Sequence, residues 1–108
     1  MSKKQTPKNR KKLSFKRAPA RSGSGKDDYH FKIPRVYIEN KLVDVDKTYI
    51  ITLGNSNITF RRSPSKMSSV SKMDYSFKIP RIYIRNNLVD KDKTYKVILE
   101  ELTSENNI

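Results

Sequence analysis

The chain has 108 residues, no cysteine and only 34% hydrophobic residues, so it holds one small core with a tail at most, and neither a disulfide framework nor a thiolate zinc site can staple it. Lys and Arg number 24 against 11 Asp and Glu, a formal charge of +13 at pH 7, and that excess points to a polyanionic partner. No apolar run reaches the length of a membrane span and no secretory apolar stretch follows the start; the absent cysteines suit a reducing interior without locating the protein, and the expected place, cytoplasmic and nucleoid-associated, follows only from the nucleic-acid reading below.

Residues 1–26 hold ten basic residues and no acid. Leu13 and Phe15 are their only large apolar side chains, amid Lys, Arg, Ser, Pro and Gly. Such a stretch cannot offset its own ordering entropy, so the composition predicts a disordered basic tail. Lys8, Arg10, Lys11, Lys12, Lys16 and Arg17 are its candidate phosphate contacts, each releasing counterions on binding. The plainer alternative is a solubility tail, or an import-like basic cluster around Asn9 to Lys12.

Beyond the tail, one stretch of 26 residues occurs twice. Asp28 to Leu53 aligns with Asp74 to Leu99 without a gap, and 18 of the 26 pairs are identical. A unit this short cannot bury a core alone. The two copies are therefore expected to fold on one another as a single pseudo-two-fold domain, mostly β, with repeat 1 over residues 27–62, a linker over 63–73 and repeat 2 over 74–108. Differences between the copies sort the positions. Phe31/Phe77, Ile33/Ile79, Tyr37/Tyr83, Ile38/Ile84, Leu42/Leu88, Tyr49/Tyr95 and Leu53/Leu99 keep their type, Val36/Ile82 and Ile51/Val97 exchange one branched apolar residue for another, and all are the expected core. Glu39/Arg85, Val45/Lys91 and Ile50/Lys96 admit a charge and are expected to face water.

Within each copy, Phe31 to Ile38 reads as an extended segment bent at Pro34, because proline lacks the ladder donor. At most one helical turn is expected over Glu39 to Asp44. Asp44 and Asp46 then supply turn chemistry; the pair also matches a divalent-cation motif, but the further ligands of a calcium loop are missing. Tyr49 to Leu53 alternates as a half-buried strand. Gly54 to Asn57 is a turn, and Ile58 to Arg62 returns as its hairpin partner. The second copy has no such partner after Leu99, and Glu100 to Ile108 is acidic.

Taken together, Arg35-Val36-Tyr37-Ile38 with Leu42, Arg81-Ile82-Tyr83-Ile84 with Leu88, the Asp46-Lys47 and Asp92-Lys93 turns and the hairpin of Tyr49 to Arg62 resemble the swapped-hairpin domain of the AbrB/SpoVT/MazE group. Glu39 and Arg85 stand where that group has proline, and Pro34 and Pro80 where it has the preceding glycine. The resemblance implies a pseudo-dimer within one chain and DNA binding through Arg35 and Arg81.

Lys32 and Lys78 adjoin those arginines, and Arg61-Arg62 end the hairpin as a basic edge. An ion pair of Arg35 or Arg81 with Asp44 or Asp46 is the competing role. Aromatic residues among the basic ones, Tyr29, Phe31 and Tyr37 with their copies, fit either a core or a base-stacking platform. His30 is the only histidine and becomes Ser76 in the second copy. With no Ser/His/Asp set and no glycine-rich phosphate loop, the sequence predicts no enzyme and no cofactor. The expected function is nucleic-acid binding, DNA favoured over RNA, as a regulator or chromatin-type architectural factor that forms no membrane contact and has scope to self-associate. A ribosomal or RNA-associated protein is the alternative, and a protein-interaction module using the acidic end or a strand edge is a third.

Overall fold

A computed structural model of the chain describes residues 12–23, 25–54, 56–67 and 72–101. Among them are eight strands and two short helices: β1 (Lys12–Arg17), β2 (Ala20–Arg21), β3 (Tyr29–Lys32), α1 (Arg35–Glu39), β4 (Tyr49–Leu53), β5 (Thr59–Arg62), β6 (Ser65–Lys66), β7 (Tyr75–Lys78), α2 (Arg81–Arg85) and β8 (Tyr95–Glu101). The strands make two four-stranded antiparallel sheets, ordered β1-β8-β4-β5 and β2-β3-β7-β6. The domain is small and mostly β, and its two halves are related by a pseudo-two-fold axis. That axis passes between Thr52 and Ile98, opposite each other in the first sheet, and between Phe31 and Phe77, opposite each other in the second.

The core lies between the sheets and belongs to both halves. Tyr49, Ile51 and Leu53 point inward from β4, and Tyr95, Val97 and Leu99 from β8, as their alternation requires. Phe31 and Phe77 are completely buried and meet Tyr95 and Tyr49 edge-on, with ring centroids 6.2 and 6.0 Å apart. Each of these phenylalanines therefore packs on a tyrosine of the other half. A fully buried phenylalanine contributes about 1.5–3 kcal/mol, and here that energy exists only when the halves are together.

Three expectations are corrected. Lys12 to Arg21 are not a disordered arm: they form β1 and β2, while Met1 to Lys11 lie outside the described residues. Leu13 and Phe15 face inward on β1, whose six residues pair with β8 from Lys12 opposite Glu100 to Arg17 opposite Tyr95. The second copy thus has its missing strand after all, delivered from the other end of the chain. β1 and β5 are equivalents, Leu13-Ser14-Phe15-Lys16-Arg17 against Ile58-Thr59-Phe60-Arg61-Arg62. The unit of the fold runs strand, strand, strand, helix, strand, from Leu13 to Leu53 and again from Ile58 to Leu99.

The second correction concerns Pro34 and Pro80. The chain does not continue as a bent strand beyond them. Each proline is the N-cap of a helix, with φ of −56° in both. Proline's fixed φ and missing donor cost nothing where the first helical amides have no partner anyway. Tyr37 and Tyr83 donate their amides back to the Pro34 and Pro80 carbonyls, 3.0 Å in each case. Both helices are soon followed by a left-handed residue, Lys41 (φ 59°) or Asn87 (φ 61°), and the chain turns back on itself there. Leu42 and Leu88, expected in the core, are 39% and 54% exposed, and the following Val43 and Val89 are buried instead. Val36 and Ile82, also expected in the core, are 48% and 56% exposed, because each follows the first residue of a short helix on its outer side.

The third correction lies in the linker. Ser65–Lys66 is β6, paired with β7 as β2 pairs with β3; residues 68–71 are outside the described set. Turn chemistry at Asp44 and Asp90 is as expected: Asp44 Oδ1 accepts from the Asp46 amide and Asp90 Oδ1 from the Asp92 amide, each at 2.9 Å. Tyr49 and Tyr95 hydroxyls accept from the Asp44 and Asp90 amides at 2.7 Å, pinning each turn to the core. Of the positions expected to face water, Glu39, Arg85, Lys91 and Lys96 are exposed, and Val45 and Ile50 are half-buried. No helix among the described residues is long and apolar enough to cross a membrane.

Candidate nucleic-acid interface

Arg35 and Arg81 open the two helices, where a side chain after the capping proline points away from the core. Their side chains are 55% and 66% exposed. Each pairs with a carboxylate, but of the opposite half rather than its own turn: Arg35 Nε lies 2.9 Å from Asp74 Oδ1, and Arg81 Nε 2.7 Å from Asp28 Oδ1. The competing role as an ion pair is thus real, with Asp74 and Asp28 as partners in place of Asp44 and Asp46. It does not bury the guanidinium groups.

Arg17 ends β1 and reaches across to the second sheet, where its Nε donates to the Lys32 carbonyl at 3.2 Å. Arg62 repeats this from β5 onto the Lys78 carbonyl, also at 3.2 Å. Their Nη1 atoms donate to the carbonyls of Lys16 and Arg61. Backbone bonds of this kind hold the guanidinium planes, and no carboxylate among the described residues forms an ion pair with either. Lys32 and Lys78 close β3 and β7, on the face opposite to Phe31 and Phe77.

Six of the residues singled out by sequence therefore form two like triads, Arg17-Lys32-Arg35 and Arg62-Lys78-Arg81, exchanged by the pseudo-two-fold axis. The second triad lines a cavity of about 410 Å³ together with Ser22, Asp28, Tyr29, Ile79 and Pro80. Between the triads, His30 stands directly opposite Lys78 and Ser76 opposite Lys32. His30 is buried, and its pKa falls below the usual histidine value because burial penalises the imidazolium and then because Lys32 and Lys78 repel it. The imidazole is neutral at pH 7, so the two lysines do not face a third cation.

The other predicted residues lie elsewhere. Lys12 and Lys16 project from β1 and Arg61 from β5 onto the outer face of the first sheet, on the far side of the core. Lys8, Arg10 and Lys11 are outside the described residues. Of the aromatics weighed as core or stacking platform, Phe31 and Phe77 are core and Tyr29 lines the cavity of the second triad. Tyr37 and Tyr83 are half-buried, edge-on to Phe15 and Phe60, with hydroxyls donating to the Ser14 and Thr59 carbonyls at 2.8 and 3.4 Å. These contacts cover the open edges of β1 and β5 with the helices, a guard against edge-to-edge association. Tyr29 lies beneath the Lys91 ammonium, 5.9 Å from the ring centroid.

Sequence reasoning missed Asp28 and Asp74 as partners of the arginines. Both are retained in the repeat, and that was the available signal. Lys96, expected only to face water, stands opposite Lys16 on the outer face of the first sheet. Among the described residues no cluster of His, Asp or Glu forms a metal site. No protein-family model matches the chain, and neither a curated protein nor a solved structure matches it.

Proposed function

We propose that the protein binds nucleic acid, DNA in preference to RNA, as a regulator or chromatin-type architectural factor located on the nucleoid. The observation that carries this reading is the pair of cationic triads set symmetrically about one axis. Arginine forks and lysine ammoniums are the groups that neutralise phosphates and read guanine edges. A two-fold pair of them matches the symmetry of a duplex, whose two strands are themselves related by dyads. The doubled unit inside one chain is also the layout that the resemblance to the AbrB/SpoVT/MazE group implies.

On this reading the chain engages one duplex as a monomer, Lys32, Lys78, Arg17 and Arg62 on phosphates and Arg35 and Arg81 nearest the bases. Competition binding of duplex DNA, single strands and structured RNA at physiological salt tests it, duplex DNA being expected to win. Changing Lys32 and Lys78 together to Gln should flatten the salt slope by about 0.9 log units per lost phosphate contact. Preference for structured RNA would replace this reading by the ribosomal or RNA-associated one, and loss of all binding at physiological salt would favour a protein partner.

A further inference from the structure

The outer face of the first sheet is a second basic surface that the triads do not use. Strand register places its side chains in rows. Lys12, Glu100, Ile50 and Arg61 lie side by side across β1, β8, β4 and β5, followed by Ser14, Ile98, Thr52 and Thr59; Lys16 and Lys96 start the next row. Four cations thus stand around a centre of half-buried Ile50, Ile98 and Thr52, with Glu100 the acid among them. Lys16 and Lys96 are directly opposite each other and both exposed. Like charges so placed destabilise a sheet, and the sheet does not require Lys96: the first half carries Ile50 at its place.

The dimensions fit a duplex. Three inter-strand steps of about 4.8 Å separate β1 from β5, so the Lys12 and Lys16 edge stands about 14 Å from Arg61. That is close to the roughly 12 Å width of a major groove, which sets one phosphate line against each edge. Lys12 and Lys16 stand on one edge strand with Lys96 beside them on β8, and Arg61 stands on the opposite edge strand, so cations lie on both sides of the half-buried centre, where an acidic peptide would call for one row.

We infer that this face holds a second duplex, so that one monomer bridges two nucleic-acid segments. The inference rests on the proposed function, since the triads must hold the first. Inner faces of both sheets meet in the core, so the two cationic surfaces point in opposite directions along the pseudo-two-fold axis. A single straight duplex cannot touch both.

The test uses the full chain, one immobilised duplex and a second, fluorescent one. The wild-type protein should retain the fluorescent duplex while sedimenting as a monomer. The Lys16→Gln, Arg61→Gln, Lys96→Gln variant should still bind the immobilised duplex yet lose retention of the other. Retention of the second duplex by the wild type should weaken with salt, with a slope of about 0.9 log units per phosphate that the face neutralises. Lys96→Ile, which installs the residue of the other half, guards against loss of fold, and Lys16→Arg with Lys96→Arg should keep bridging. Three results overturn the inference while the proposed function stands: no second duplex retained by the wild type, unchanged retention by the triple variant, or retention only as the protein self-associates. Failure of the wild type to bind even the first duplex overturns both.

Discussion

Replacing Phe15 by Ala tests whether the amino-terminal segment belongs to the fold. If β1 is the partner of β8, Phe15 packs edge-on against Tyr37 with centroids 5.8 Å apart, as Phe60 packs against Tyr83 at 5.9 Å. Phe60 is 7% exposed and Phe15 is half-buried. Truncating a buried phenylalanine costs about 3–5 kcal/mol. Phe60→Ala should fall in that range, and Phe15→Ala, with about half the area to lose, should cost roughly 1.5–2.5 kcal/mol. For a domain of this size about 1 kcal/mol moves the melting temperature by about 4–8 °C, so the effect is large. Urea melts followed by far-ultraviolet circular dichroism or tyrosine fluorescence report it, the chain having six tyrosines and no tryptophan. An unchanged midpoint for Phe15→Ala beside a displaced one for Phe60→Ala would refute the placement of β1, since a side chain on a free arm has nothing to lose.

Lys41 holds a left-handed conformation that costs an ordinary residue about 1–2 kcal/mol, so Lys41→Gly should raise the urea midpoint, and more than Asn87→Gly does, because asparagine tolerates that conformation; a lowered midpoint would refute the strain. Arg35→Ala and Arg81→Ala remove exposed ion pairs worth about 0.2–1 kcal/mol each, so melts should move little while duplex affinity falls; the opposite pattern would make the arginines structural. His30 binds a proton less readily when folded than its unfolded value near 6.5. Stability should therefore be complete above that value and decline as pH falls through it towards the lower folded pKa. His30→Ser, the residue of the other half, should abolish this part of the acid sensitivity, and an identical pH profile for the variant would rule it out.

Much of the architecture is readable in the chain because two copies of one unit expose their own constraints. Tyr49 to Leu53 alternates too regularly to be anything but a strand with one wet face, and the shared core follows from the apolar positions that both copies keep. β1 escaped for a definite reason. Leu13 to Arg21 match Ile58 to Lys66 at an offset of 45 residues, the later copies at 46, and only Phe, Arg and Pro are identical among those nine pairs. Composition then misleads: a stretch dense in Lys and Arg reads as solvated, yet Phe15 and Leu13 alternate with the charges, and that period suffices for an edge strand. The helices escaped because proline is read first as a breaker of strands. Nothing local distinguishes a bend from an N-cap; Tyr37 packing on Phe15, an element far away in sequence, decides it. The arginine triads were legible as residues but not as clusters, since Arg17 meets Lys32 only through β1 crossing to the second sheet.

The permuted strand explains why two copies share one chain. Were β1 placed after β8, each half would own a hairpin and a dimer of separate units would serve as well. Because β1 precedes its own half and completes the other, the ends of the fold are interlocked, and the Arg35–Asp74 and Arg81–Asp28 pairs cross between halves in the same sense. Fusion frees the two halves to differ while the axis is kept. Residues 13–53 carry eight basic and five acidic side chains and residues 58–99 ten and three, net charges of +3 and +7. The differences fall at exposed or half-buried places such as Glu39/Arg85, Val45/Lys91 and Ile50/Lys96 and spare Phe31/Phe77, Tyr49/Tyr95 and the triads. Under the proposed function, a symmetric frame with unequal charge suits an oriented grip on a nearly palindromic duplex, the frame supplying the spacing of the contacts and the excess on the second half selecting which way round the protein would lie.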